Sequence, residues 1–230
     1  FPEATIAGFT ATADAATRRD IAQKLFAGRG DTVVSGFDRP NIRLGVAPKQ
    51  AGRDQLLAFL DRHRGEAGIV YCLSRAQTDE VATFLSGEGY RALPYHAGMA
   101  PDARSENQER FMAEAAPVMV ATIAFGMGID KPDIRFVCHL NLPGSTEAYY
   151  QEIGRAGRDG EPAEALMLFG LNDIRMRRQF VDQDGENEEH KRREHKRLDA
   201  LLAYCEATQC RRIALLDYFG EPDAKPCGNC

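Results

Sequence analysis

Gly68-Ile69-Val70-Tyr71-Cys72-Leu73 is a continuous apolar run, and Ser74-Arg75 ends it. A short apolar run bounded by turn-forming residues reads as a strand buried on both faces. The period then changes, because Val81, Phe84 and Leu85 fall at helical spacing. The alternation continues outward in both directions. Before it, Ile42 to Val46 reads as a strand and Ala51 to Arg64 as a helix with Leu56, Phe59, Leu60 and His63 on one stripe. After it, strands are expected near Arg91 to Tyr95, Val118 to Ile123, Phe136 to Leu140 and Ala165 to Phe169. Helices are expected from Pro101 to about Glu114 and from Ser145 to Ala156. Strands alternating with helices imply βαβ units, hence an α/β fold with a mainly parallel sheet and helices on both faces. Ligands of such sheets collect beyond the carboxyl ends of the strands, where the Ser74 and Thr122 loops emerge.

The flanks are less regular. Ile6, Gly8 and Phe9 suggest a short strand before a Thr10-Ala11-Thr12 turn, and Asp14 reads as the N-cap of a helix through Leu25. Ile21, Leu25 and Phe26 would share one face of that helix, which Gly28 and Gly30 end. Phe37-Asp38-Arg39-Pro40-Asn41 reads as a proline-pinned joint and a domain boundary. The polar stretch Asp182 to Glu189 reads as a hinge.

The 230 residues are 43% hydrophobic and 27% charged, ordinary values for a soluble globular protein. No apolar run reaches the roughly 20 residues of a membrane-spanning helix, so no membrane partner is expected. A start at Phe-Pro-Glu without a signal peptide suggests an internal segment of a longer protein. The net charge of −5 offers no general positive field, so any nucleic acid must be held by local contacts. Residues 175–197 hold eight Lys/Arg against six Asp/Glu and read as a solvated helix face laced with ion pairs.

Tyr149-Tyr150-Gln151-Glu152-Ile153-Gly154-Arg155-Ala156-Gly157-Arg158-Asp159-Gly160 carries two arginines three residues apart, which project the same way from a helix or its last turn. Flanking glycines let another surface approach closely. Paired guanidinium groups suit bidentate contact with phosphate oxygens, and phosphoryl-transfer sites use such an arginine finger. A helix C-cap, or an ion pair with Glu152 or Asp159, is the competing explanation.

Met119 to Pro132, with its Gly126-Met127-Gly128-Ile129-Asp130 loop, reads as a strand breaking into a glycine-punctuated turn. Together with Phe9-Thr10-Ala11-Thr12-Ala13, Ile69 to Arg75, Tyr95-His96-Ala97-Gly98-Met99 and the arginine stretch, it resembles the later motor motifs of superfamily 2 helicases. The tail, from Cys210-Arg211-Arg212 through Tyr218-Phe219-Gly220-Glu221 to Cys227-Gly228-Asn229-Cys230, narrows the resemblance to the RecQ DNA helicases.

That resemblance implies the edge of a first RecA-like motor domain in residues 1–36 and a second RecA-like domain in 37–172. A helical zinc-binding module would follow in 173–230. It implies that Arg158, as the finger, and Arg155, as its partner, reach the γ-phosphate of ATP held with Mg²⁺ mostly by the upstream motor domain. Gln151 would link this element to the nucleotide or a neighbouring motif. Asp130, with Gly128 in the loop before it, would sit near the ribose or the cleft. Thr122, Ser74, Arg75 and His96 would contact DNA, and Thr10 and Thr12 would couple nucleotide state to DNA grip. An ordinary turn aspartate, a strand-end threonine bonded to its own backbone and a core or turn histidine are the competing readings of Asp130, Thr122 and His96.

Cys227-x-x-Cys230 has the spacing of a tetrahedral zinc site and Cys210 can add a third thiolate. The family pattern expects the fourth ligand beyond Cys230. Cys205 falls on an apolar stripe with Leu198, Leu201 and Leu202 and reads as core, as do Cys72 and Cys138. No Gly-x-x-x-x-Gly-Lys-Ser/Thr loop and no Asp-Glu-x-His segment is present, so this stretch alone is expected not to hydrolyse ATP. The resemblance implies part of a 3′–5′ ATP-dependent helicase acting on single-stranded and duplex DNA in repair and recombination. Its location would be cytoplasmic, at the nucleoid, in a bacterium, or nuclear in a eukaryote. The alternatives are a non-catalytic zinc-bearing DNA- or protein-binding module, or a related RNA helicase.

Overall fold

The structure, a computed structural model, describes residues 5–13, 15–126, 128–183, 187–222 and 224–230. In chain order the elements are α1 (Ala15–Phe26), β1 (Ile42–Pro48), α2 (Gly52–Asp61), β2 (Ala67–Tyr71), α3 (Arg75–Gly87), β3 (Arg91–Tyr95) and α4 (Pro101–Ala113). There follow β4 (Pro117–Ala121), β5 (Ile134–His139), α5 (Thr146–Ile153), β6 (Ala163–Phe169), α6 (Leu171–Gln183), α7 (Glu188–Glu206) and α8 (Arg211–Tyr218). The six strands form one sheet in the order β1-β6-β5-β2-β4-β3, with every pairing parallel.

Alternation along the central strands divides the core between the two faces. Ile69 and Tyr71, with Met119 and Val137, point to the side covered by α4, α5, α7 and α8. Val70 and Cys72, with Val120 and Cys138, point to the side where α2 and α3 bring Leu56, Phe59, Leu60, Val81 and Leu85. Each such fully buried side chain contributes about 1.5–3 kcal/mol relative to exposure. Side-chain caps start three of the helices. Ser74 Oγ accepts from Gln77 N at 3.2 Å, Ser145 Oγ from Ala148 N at 3.2 Å and Asn187 Oδ1 from His190 N at 2.9 Å.

The C-terminal helices share the sheet's core. Leu201, Tyr204 and Cys205 of α7, Leu215 and Leu216 of α8, and Phe219 all pack into the cluster that contains Ile69, Val137 and Tyr149. The charged stretch forms parts of α6 and α7 and is laced with pairs such as Arg178–Asp199, His195–Asp182 and Arg197–Glu194.

Two expectations need correction. Residues 5–13 form no strand: a strand exists through its ladder, none of the sheet strands pairs there, and Ile6 and Phe9 are exposed. The expected N-cap Asp14 lies outside the described residues; on α1 itself, Ile21 and Phe26 are half-buried and Leu25 is 53% exposed. Helix α2 ends at Asp61, short of Arg64, and leaves His63 in the following turn between Glu66 and Glu164. Within the expected hinge, α6 runs to Gln183 and α7 starts at Glu188, and residues 184–186 lie outside the description.

Candidate functional site

Helix α5 crosses one face of the sheet and delivers the arginine stretch. It begins this stretch beside the carboxyl end of β5, where Glu152 Oε2 and His139 Nε2 meet at 2.7 Å in the interior. It ends beside the amino end of the same strand, where Gly157 N donates to Ile134 O at 2.8 Å. Between these anchors the chain unwinds into consecutive turns, and Gly157 takes a φ of +56°. A Cβ there would collide with the Asn41 amide and stand 2.7 Å from Glu161 O, so the position demands glycine.

Both guanidinium groups point to the loop between β4 and β5. Arg155 Nη1 donates to Gly126 O, so close that a Cβ on Gly126 would collide with the guanidinium. Arg158 Nη1 donates to Ile129 O and to Asp130 Oδ1, each at 2.8 Å. The Arg158 side chain is 36% exposed and that of Asp130 87%. The two carboxylates weighed as alternative partners are engaged elsewhere. Glu152 faces His139, while Asp159 pairs with Arg135, whose hydrogen bond holds the Asp159 carboxyl below its usual range.

Tyr71 lies beneath this loop, donating from its hydroxyl to Phe125 O at 3.2 Å. Burial pushes its phenol well above the ordinary value, against the pull of nearby Arg155. One turn before Arg155, Gln151 Nε2 donates to Thr12 Oγ1 at 2.6 Å. Thr10 Oγ1 in turn accepts from Thr12 N at 3.4 Å. The structure thus brings Thr12, Gln151, Arg155, Arg158 and Asp130 to one stretch of surface; Gly128, with φ +81°, lies in the same loop, and Met127 lies outside the described residues.

A second group lies at the carboxyl edge, on the adjacent strands β2, β4 and β3. Ser74 and Arg75 follow β2, Thr122 follows β4 and His96 follows β3. Ser74 caps α3, and the Arg75 stem passes over Gly98, with Cδ 3.0 Å from where a Cβ would stand. His96 is buried, with Nε2 2.9 Å from Asp79 Oδ1 and Nδ1 accepting from Gly98 N at 3.2 Å. Thr122 Oγ1 accepts from Ala124 N at 3.5 Å, and Thr122 N donates to Tyr95 O at 3.2 Å.

Sequence reasoning missed the network that supports this edge. Lys49 Nζ donates to Leu140 O and to buried Asp173 Oδ1, both at 2.8 Å. Asn141 Nδ2 donates to the same oxygen at 2.7 Å, while Asn141 Oδ1 accepts from Leu73 N at 3.2 Å, next to Ser74. Asp173 also accepts from Gly170 N at 2.9 Å, a capping contact at the start of α6. An aspartate in the first turn of a helix was the available signal.

The three tail cysteines converge. Cys210 Sγ lies 3.4 Å from Cys227 Sγ and 3.7 Å from Cys230 Sγ, and all three sulfurs fall within 4.8 Å of one another. Thiolates around a tetrahedral zinc at about 2.3 Å stand about 3.8 Å apart, so the donor set fits that ion. Burial pushes the Cys210 thiol up. Hydrogen bonds from the Cys227 and Ile213 N–H groups and from the neighbouring thiols outweigh burial and bring it down to about 6. Cys205 lies apart in the core, its thiol pushed up to about 12 by burial.

Residues 51–160 match the family model of the helicase conserved C-terminal domain, and residues 171–230 match that of RecQ zinc-binding. The ATP-dependent DNA helicase RecQ of Haemophilus influenzae is 43% identical over 230 residues, covering 100% of this chain and 37% of that protein. Its Bacillus subtilis counterpart is 42% identical over 226 residues, 98% of this chain and 38% of that protein. A solved DEAD box protein from the hyperthermophile Methanococcus jannaschii superposes with a TM-score of 0.51 at 25% identity, covering 62% of this chain and 39% of that one. The chain therefore spans little more than a third of the length of these curated relatives. With a RecA-like parallel sheet, the helicase and zinc-binding matches in tandem and this likeness along its whole length, the chain belongs to the RecQ family of helicases.

Proposed function

We propose that this chain supplies the second motor domain and the zinc-bearing segment of an ATP-driven DNA helicase. The observation that carries the reading is the partly exposed Arg158 guanidinium, held in a fixed direction by Ile129 O and Asp130. A guanidinium so oriented meets phosphate without first having to be ordered. An upstream motor domain would contribute the phosphate loop and the magnesium ligands. ATP, when bound there, supplies the phosphoryl group whose transfer drives the cycle. Arg158 would neutralise charge developing on that group, with Arg155 as its partner, braced on Gly126 O. Gln151, bonded to Thr12, would tie the arginine turn to the segment leading from the upstream domain. Asp130 and Gly128 would line the cleft beside the ribose.

At the carboxyl edge, the Ser74 and Thr122 hydroxyls accept from the Gln77 and Ala124 N–H groups and can still donate to DNA phosphates. Arg75 would add charge, and His96 would hold the loop beside it. Zinc would be held by Cys210, Cys227 and Cys230, with a fourth donor from residues after Cys230; when bound it supplies a structural cross-link. Polarity from 3′ to 5′, and work in repair and recombination at the nucleoid or in the nucleus, follow from the family resemblance. The test is unwinding of matched DNA and RNA duplexes by the full-length protein and its Arg158→Ala variant. DNA unwinding lost in the variant supports the reading. Preference for RNA duplexes, or undiminished unwinding by the variant, contradicts it.

A further inference from the structure

The joint Phe37–Asn41 touches the cysteine centre on one side and the arginine turn on the other. On the arginine side, Arg39 Nη1 donates to Gly154 O at 3.1 Å. Its Nη2 donates to Ala156 O at 2.8 Å and to Gly157 O at 3.0 Å. These three carbonyls bracket Arg155 and immediately precede Arg158. Asn41 Nδ2 adds bonds to Gly157 O at 2.8 Å and Glu161 O at 2.9 Å. One planar guanidinium therefore gathers the carbonyls of a turn that has left the helical ladder, as a fixed fork of donors can and a lysine cannot.

On the cysteine side, Arg212 follows Cys210 by two residues and is buried on α8. Its Nη1 donates to Asp38 Oδ1 and Arg39 O, both at 2.7 Å, and its Nη2 to Ile42 O at 2.6 Å. Asn229, between Cys227 and Cys230, donates from Nδ2 to Pro40 O at 3.3 Å. Glu221 Oε1 accepts from Phe37 N at 2.8 Å, and the Phe37 ring stacks on Phe219 with centroids 4.6 Å apart. The joint is thus a strap, fastened at both ends by charged or aromatic side chains.

We infer that this strap transmits the geometry of the cysteine centre to the two-arginine turn, with Arg39 as the positioning residue. The inference rests on the functional reading of Arg158 and adds to it a structural reason for the cysteine module to matter at the nucleotide. Proline at position 40 stiffens the strap, so displacement at one end is not absorbed in the middle.

The experiment uses the full-length protein with zinc bound and compares Arg39→Lys, Arg158→Ala and the double variant. Two quantities are read: ATP turnover in the presence of DNA, and hydrogen exchange of the amides of residues 154–158. Arg39→Lys is expected to lower kcat about 10²-fold with KM for ATP and zinc content unchanged. Added to Arg158→Ala, it should cause less than about a twofold further loss, because it acts through that side chain. Exchange at 154–158 should rise about tenfold or more in Arg39→Lys, and likewise after chelation of zinc from the wild type. Should Arg39→Lys fail to fold, Asn41→Ala, which removes the bonds to Gly157 O and Glu161 O, carries the same cycle. Wild-type turnover in Arg39→Lys beside a dead Arg158→Ala overturns the strap and leaves the finger standing. Full turnover in Arg158→Ala overturns the finger, and the exchange measurement then decides the strap alone. Unchanged exchange after both substitution and chelation overturns it.

Discussion

Asp130 and Arg158, 28 positions apart in the chain, meet at 2.8 Å on the surface. The pair is exposed on the aspartate side, so it adds at most about 1 kcal/mol to stability. Its consequence is directional, since both bonds, to Asp130 and to Ile129 O, come from Nη1 of a guanidinium whose side chain stays 36% exposed. Asp130→Ala should therefore shift Tm by no more than about 4 °C. In the full-length protein it should reduce kcat for ATP about tenfold or more. Unchanged turnover would mean that Arg158 is oriented by Ile129 O alone.

Gly157 and Gly160 both hold positive φ, +56° and +86°, but only Gly157 is crowded. Gly160→Ala meets nothing within 4 Å and should cost the backbone strain alone, about 1–2 kcal/mol. Gly157→Ala adds a collision with Asn41 and Glu161 O and should exceed it by a further 1 kcal/mol or so, about the scale of a modest packing error. Urea unfolding of the two variants checks the order, and equal losses would contradict the close approach.

Glu152 is the buried partner of His139, whose Nδ1 already lacks one. Glu152→Ala leaves both ring nitrogens unpaired and should cost about 1–3 kcal/mol. Glu152→Gln keeps an acceptor and should cost less. A chemical unfolding series would separate the two. If alanine is as well tolerated as glutamine, the pair does not anchor α5.

The cysteines should divide sharply in a metal-free sample treated with iodoacetamide near neutral pH. Cys210, with its thiol near 6, should alkylate first, while Cys72 and Cys205, each pushed up to about 12 by burial, stay protected in the folded state. Added zinc should protect Cys210, Cys227 and Cys230. Mass spectrometry of the labelled peptides checks both halves, and early labelling of Cys205 would contradict its place in the core.

The fold was legible because its signal is local. Strands β2 and β4 are short apolar runs between turn residues, and α2 and α3 show their stripes. Ile6–Phe9 misled because its pattern is that of a strand while a strand depends on a partner outside the window. The arginine pair was visible from spacing, but not its partners: Gly126, Ile129 and Asp130 come from a loop that only the tertiary fold brings near. Arg39 and Asn41 looked like the polar flanks of a proline joint. A better clue lay in Arg212, a charged residue at i to Leu215, Leu216 and Phe219 on the apolar face of α8, where only a buried partner could justify it.

The central claim is that Arg158 completes a nucleotide site begun by another domain. Steady-state ATP turnover with DNA present, together with nucleotide affinity, tests it in the full-length protein carrying Arg158→Ala or Arg158→Lys. Both variants should lose about 10³-fold or more in kcat while binding ATP within a few-fold of wild type. Turnover within about fivefold of wild type in Arg158→Ala would contradict the account.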